Sequence, residues 1–128
     1  MNVSLDSSVL IALANPNDAH HASCISKISS VDFVFHAATF AIIESLYAAY
    51  VKTYELALTA RLELEERVSV FVELTKELAY EVLELMRNST LKIGDAVICA
   101  SAIALDTQLW TCDKDLVRQF PAARYVGL

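Results

Sequence analysis

The sequence predicts an α/β fold: a three-layer α/β/α sandwich around a mostly parallel sheet. Three observations carry that prediction. Short β-branched or apolar segments alternate with longer helical ones, the pattern of strands joined by crossover helices. The chain is 55 % hydrophobic with only two glycines and two prolines among 128 residues, which suits a packed core with short connections. Acidic residues stand at the carboxyl ends of predicted strands, where open α/β sheets build their sites. The length fits one domain, 1–128, and no internal repeat or linker divides it.

The elements follow in order. Asn2 to Leu5 reads as a short strand. Ser7 to Ala14 reads as a helix, stopped by the turn signal Asn15-Pro16-Asn17. Asp18 is placed to cap a helix running through Ser26 and Lys27. Val31 to His36 alternates and is rich in β-branched and aromatic residues, so it is the second strand. Ala37 to about Tyr54 is apolar on nearly every side, which predicts a buried helix. Glu55 to Arg67 mixes leucines with charges and predicts a more exposed one. Val68 to Val72 is the third strand, and Thr75 caps an amphipathic helix to about Arg87. Gly94 opens an apolar helix, Asp95 to Leu105. Gln108 to Cys112 is a strand, Lys114 to Gln119 a short helix, and Arg124 to Val126 the last strand.

The bulk properties exclude several classes. No apolar run has the length and flanks of a membrane span: the longest, Phe33 to Val51, is broken by His36, Thr39, Glu44 and Ser45. The opening residues lack a basic region and a cleavage pattern, so a cytoplasmic protein is expected. Cys24, Cys99 and Cys112 are widely spaced and read as reduced small hydrophobes rather than a disulfide frame or zinc site. The net charge of −6 argues against a general nucleic-acid binder with a basic face. A cluster of metal-binding acids would lower that count by itself.

Three carboxylates interrupt apolar segments and a fourth ends one. Asp6 is the only charge before Asp18. Glu44 is the only charge between Asp32 and Lys52, and Asp95 the only one between Lys92 and Asp106. Asp113 follows Leu109-Trp110-Thr111-Cys112. Three of them have a plainer local reading. Asp6 and Asp113 could cap the helices that follow them, and Asp95 could sit in a first turn where the dipole favours an acid. Glu44, in mid-helix, has no such reading. Buried carboxylates are costly without a compensating charge. Four of them without a cation in their own segments point to a shared one, a divalent ion such as Mg²⁺ or Mn²⁺.

The pattern resembles the PIN-domain nucleases. The resemblance lies in Asp6-Ser7-Ser8 after the first strand, a solitary Glu44 in the third helix, Asp95-Ala96 at the start of an apolar helix, and Thr111-Cys112-Asp113 after the next strand. Order, spacing and length resemble the VapC-type toxins of prokaryotic toxin–antitoxin pairs, from Asn2 to about Leu116. The resemblance implies a PIN-like α/β/α domain that cleaves RNA, commonly tRNA or rRNA, with Mg²⁺ or Mn²⁺. It also implies a homodimer and a cognate antitoxin that covers the site. By position Asp6, Glu44, Asp95 and Asp113 are the catalytic, metal-binding acids. Ser8 or Thr111 would position a ligand or water, with Asp115 auxiliary. One departure is visible: the family often has a glycine before the Thr-x-Asp strand, where this chain has Asp106-Thr107-Gln108. Aspartate tolerates a left-handed turn.

RNA would then be held by the metal and a few local cations, for which Arg87, Lys92, Lys114 and Arg118 are the candidates. Tyr47, Tyr50 and Tyr54 have helical spacing and read first as core, second as a dimer or antitoxin surface, a role the helices from Glu55 to Arg87 could share. His20 and His21 do not share a helical face, which argues against a metal role. His36 reads as a surface or capping histidine near a strand end. Two alternatives stay open. One is a catalytically silent PIN-like module that only binds RNA or protein. The other is a haloacid-dehalogenase-type phosphoryl-transfer enzyme, whose usual second aspartate is here Ser8.

Overall fold

The computed structural model describes residues Met1–Leu128. Five strands, β1 (Asn2–Leu5), β2 (Val34–Ala38), β3 (Val70–Val72), β4 (Gln108–Thr111) and β5 (Ala123–Tyr125), form one sheet in the order β3-β2-β1-β4-β5. Every pairing is parallel, so the mostly parallel sheet expected from sequence is wholly parallel. Seven helices flank it: α1 (Ser7–Ala14), α2 (His21–Ser29), α3 (Thr39–Lys52), α4 (Tyr54–Arg67), α5 (Lys76–Arg87), α6 (Ile93–Ala104) and α7 (Lys114–Gln119). No helix is long and apolar enough to cross a membrane.

The chain runs outward from β1 through β2 to β3, then returns to the other side of β1 as β4 and β5. The strand order therefore reverses between β1 and β4. The crevice beyond the carboxyl ends of those two strands is where such a sheet holds a ligand. Covered on both faces, the central strands are buried: Val3, Leu109 and Thr111 are fully enclosed and Leu5 nearly so. Phe33 and Phe35 pack against Trp110 with ring centroids 5.9 and 5.7 Å apart, fastening β2 to β4 across β1.

Several boundaries differ from expectation. Asp18 does not cap α2: its carboxylate accepts the His20 N–H at 2.8 Å in a side-chain turn, and the helix starts at His21. β2 begins three residues later than expected and runs to Ala38, because its register against Asn2–Ser4 starts at Val34. β5 is displaced by one residue, to Ala123–Tyr125. Asp106 adopts φ 52°, so it takes the left-handed turn in which a glycine was expected.

His36 corrects the sequence reading more sharply. It lies inside β2, 7 % exposed, and neither ring nitrogen has a hydrogen-bond partner. A buried polar group without partners costs stability. His36→Leu is expected to stabilise the fold by about 1 kcal/mol, read as a higher midpoint in urea. An unchanged or lower midpoint would mean that the imidazole is satisfied in solution.

Candidate active site

Asp6 follows β1 and is 5 % exposed. Its backbone N–H donates to the Trp110 carbonyl at 2.9 Å, carrying the β1–β4 ladder one residue further. The capping reading of its side chain holds. Oδ1 accepts the Ser7 N–H at 2.9 Å and so caps α1. Oδ2 faces β4, accepting the Thr111 hydroxyl at 2.7 Å and the Ser8 hydroxyl at 2.8 Å. Those hydroxyls in turn accept main-chain N–H groups: Thr111 Oγ1 from Asp113 and Ser8 Oγ from Cys112, each at 3.0 Å. Ser8 and Thr111 thus brace Asp6 against the segment that carries Asp113.

Glu44 sits midway along α3. The reading of it as a buried acid is corrected: the residue is exposed overall. Its carboxyl end is nevertheless tucked inward. Oε1 accepts the Ser7 hydroxyl at 3.1 Å, and Oε2 lies against Gly94 of α6. Ser7 Oγ is also 3.5 Å from Asp6 Oδ1, so one hydroxyl touches two of the acids. Asp95 is half-buried in the first turn of α6, where the helix dipole favours it. Asp113 caps α7, its Oδ1 accepting N–H bonds from Asp115 at 2.8 Å and Leu116 at 3.4 Å.

Electrostatics links the four. Burial, chiefly, raises the Glu44 carboxyl above its ordinary value; the Ser7 hydrogen bond opposes this, and the charges of Asp6 and Asp95 add to it. Burial also leads for Asp95, with Asp6 and Asp113 raising it further and Lys92 opposing. The Cys99 thiol, one turn along α6 from Asp95, is pushed up to about 12 by burial and then by Asp6 and Asp95. As the side chains stand, no three of them are drawn close enough to hold an ion. The Ser7 hydroxyl is the one hydrogen-bonding link between two of the carboxylates, Asp6 and Glu44. Like-charge repulsion acts between Glu44 and both Asp6 and Asp95, and between Asp95 and both Asp6 and Asp113.

The remaining candidates separate. Asp115 is engaged by the Arg118 guanidinium at the exposed surface of α7. Arg87 is also exposed, 3.9 Å from Glu84. The Lys114 ammonium lies over the Tyr125 ring, 5.2 Å from its centroid. Lys92, exposed at the N-cap of α6, is the candidate cation whose charge acts on one of the four acids.

Two site residues escaped sequence reading. Ser7 lies between Asp6 and Ser8, and its link to Glu44 spans 37 positions. Gly94 marks where α3 and α6 meet: a Cβ there would stand 2.9 Å from Glu44 Oε2. Gly94→Ala should leave thermal stability unchanged or slightly raised, because alanine is the better helix former. It should displace the Glu44 carboxyl and lower catalysis by about tenfold or more. A melting curve beside an activity assay separates the two effects, and full activity would count against a role for Glu44.

An apolar groove of about 630 Å³ lies between α3 and α4, lined by Ile42, Ile43, Leu46, Tyr47, Tyr50 and Phe71 among others. Tyr47, Tyr50 and Tyr54 are 66, 55 and 76 % exposed, so the core reading of these tyrosines fails.

The family model described as PIN domain matches residues 3–120. Comparison with curated protein sequences finds no match. Among solved structures, the chain is similar to the sarcin-ricin-loop-cleaving toxin VapC20 of Mycobacterium tuberculosis, at 20% identity and TM-score 0.76, covering 91% of this chain and 93% of that one. A toxin–antitoxin complex from Klebsiella pneumoniae aligns at 17% identity and TM-score 0.79, covering 95% of both chains. VapBC2 of Rickettsia felis, bound to a fragment of promoter DNA, aligns at 15% identity and TM-score 0.76, covering 98% of both. These likenesses establish the fold.

Proposed function

The chain belongs to the PIN-domain family, and from that premise we propose that residues 1–128 form one divalent-metal-dependent endoribonuclease domain, the toxin of a VapBC-type pair. One observation supports this most. Beyond the ends of β1 and β4, Asp6 and Asp95 act on the charge of Glu44, Asp6 and Asp113 act on that of Asp95, and none of the four is in an ion pair.

The donor set fits a hard divalent cation: four carboxylates with no thiol or imidazole among them. These four would hold Mg²⁺ or Mn²⁺. Bound there, such an ion supplies an activated water and charge neutralisation at a phosphate oxygen. The chain's own residues do the positioning. Ser8 and Thr111 occupy Asp6 Oδ2, while Oδ1 takes one short bond, from Ser7 N–H, and keeps a lone pair open. Ser7 steadies Glu44 Oε1, and Gly94 leaves room for Oε2. Lys92 puts a positive charge beside Asp95, where an incoming RNA phosphate would be drawn.

The partners follow from the same reading: an RNA substrate in the cytoplasm, a second copy in a homodimer, and an antitoxin. The groove with Tyr47 and Tyr50 is apolar and open, which suits an antitoxin segment. The test incubates purified protein with structured RNA, with Mg²⁺ or Mn²⁺ and with chelator. Cleavage that is metal-dependent and lost on chelation is expected. Metal-independent cleavage, or binding without turnover under either ion, would overturn the reading, the latter in favour of a silent binding module.

A further inference from the structure

Cys24 and Cys112 are 88 positions apart in sequence, yet their Sγ atoms are 3.4 Å apart. Cys24 is fully buried on α2, while Cys112 is half-buried directly after β4, beside Asp113. The third cysteine, Cys99, lies buried on α6 and has no such neighbour. We propose that Cys24 and Cys112 form a peroxide-responsive dithiol, a modification site whose disulfide ties α2 to the segment between Thr111 and Asp113.

Three features carry the assignment. The two sulfurs are already in contact, and closing from 3.4 Å to the roughly 2.05 Å of a disulfide is a small movement. The reagent has a way in, because Cys112 is partly exposed. The pair is also wired to the acids: the Cys112 N–H donates to Ser8 Oγ at 3.0 Å, and Ser8 donates to Asp6 Oδ2 at 2.8 Å.

The chemistry balances with a hydroperoxide as oxidant. Cys112 Sγ gives up its proton and attacks a peroxide oxygen; the O–O bond breaks, and water leaves carrying that proton. Cys112 is now a sulfenic acid. Cys24 Sγ, losing its own proton, attacks the Cys112 sulfur. The S–S bond forms, the S–O bond breaks, and the hydroxyl leaves as a second water. Two thiols are oxidised and one peroxide is reduced. A dithiol reductant reverses the change by exchange.

Drawing Cys112 toward α2 shifts the main chain between Thr111 and Asp113, and with it the Ser8 brace on Asp6. Nuclease activity in the oxidised protein should fall by about tenfold or more and return on reduction. That arm rests on the proposed nuclease function. The covalent arm does not.

The experiment treats the whole protein with a small excess of hydrogen peroxide, then maps chymotryptic peptides by mass. Cleavage after Trp110 separates Cys99 from Cys112. A Cys24–Cys112 linked peptide, two hydrogens lighter than its parts and released by dithiothreitol, is expected. It should persist in Cys99→Ala and vanish in Cys112→Ser. Sulfinic or sulfonic acid at Cys112 with Cys24 still free, a link between two chains, or no oxidation at all would each overturn the proposal. Mapping the unsubstituted protein needs no variant to fold. A link that forms in a protein without nuclease activity would sustain the dithiol and sink the nuclease reading alone.

Discussion

Asp6→Asn is expected to abolish RNA cleavage, lowering it on the order of 10³-fold or more, while leaving the fold largely intact. The asymmetry follows from what the side chain touches. Structurally, Asp6 caps α1 and accepts two hydroxyls from Ser8 and Thr111. An asparagine can still cap through its carbonyl. Its amide would then face the hydroxyls, which can rotate to accept from it. The stability cost should therefore stay near ~1 kcal/mol. Catalytically, asparagine removes a negative charge from the acid set, and no other residue replaces it. Asp6→Ala should be as inactive and less stable, because it also loses the cap. Cleavage rate measured beside a urea midpoint checks both halves. Comparable cleavage by Asp6→Asn and the unsubstituted protein would remove Asp6 from the chemistry.

The second large effect concerns the acids as a group. Glu44 and Asp95 are raised in the folded chain, mainly by burial and then by their acidic neighbours. A carboxyl with a raised folded pKa binds its proton more tightly when folded than when unfolded. Stability should thus be greatest below the ordinary Glu and Asp values of 4.5 and 3.8 so far as these two groups decide it. It should fall as pH rises from there through the folded values. A divalent cation binds the ionised forms, so Mg²⁺ or Mn²⁺ should reverse the decline at neutral pH. At one hundred times its dissociation constant the gain is about 2.7 kcal/mol. Chelation should remove that gain together with activity. Asp95→Asn should flatten the pH dependence and blunt the response to metal. Melting curves that ignore Mn²⁺ between acid and neutral pH would contradict metal binding by these residues.

Much of the candidate site was legible because its residues break local patterns. A carboxylate at the end of an apolar strand, or alone in an apolar helix, is conspicuous at the level of single residues. The α/β alternation was equally visible, since parallel strands buried on both faces read as short apolar runs. What failed depended on partners distant in sequence. The apolar composition of α3 suggested a helix buried all round. In the fold, only Ala41 and Leu46 are fully enclosed, while Tyr47 and Tyr50 border an open groove. Composition reports how apolar a helix is, not which neighbour covers it. His36 was misplaced for a related reason: the register of β2 is set by β1, whose first paired residue is Asn2. The roles of Ser7 and Gly94 exist only where α1, α3 and α6 approach one another.

The strand order has a consequence for synthesis. β1 is made first, but its neighbour on one side, β4, is made in the last quarter of the chain. Until β4 leaves the ribosome, Asp6 lacks the Thr111 hydroxyl and Asp113 has not been added. On the proposed reading, a nascent chain therefore carries a half-built and inert acid set for most of its elongation. Assembly of the four acids comes late, when β4 pairs beside β1, and if they are the nuclease site a chain released before Gln108 is expected to leave RNA uncut however well its first half had folded.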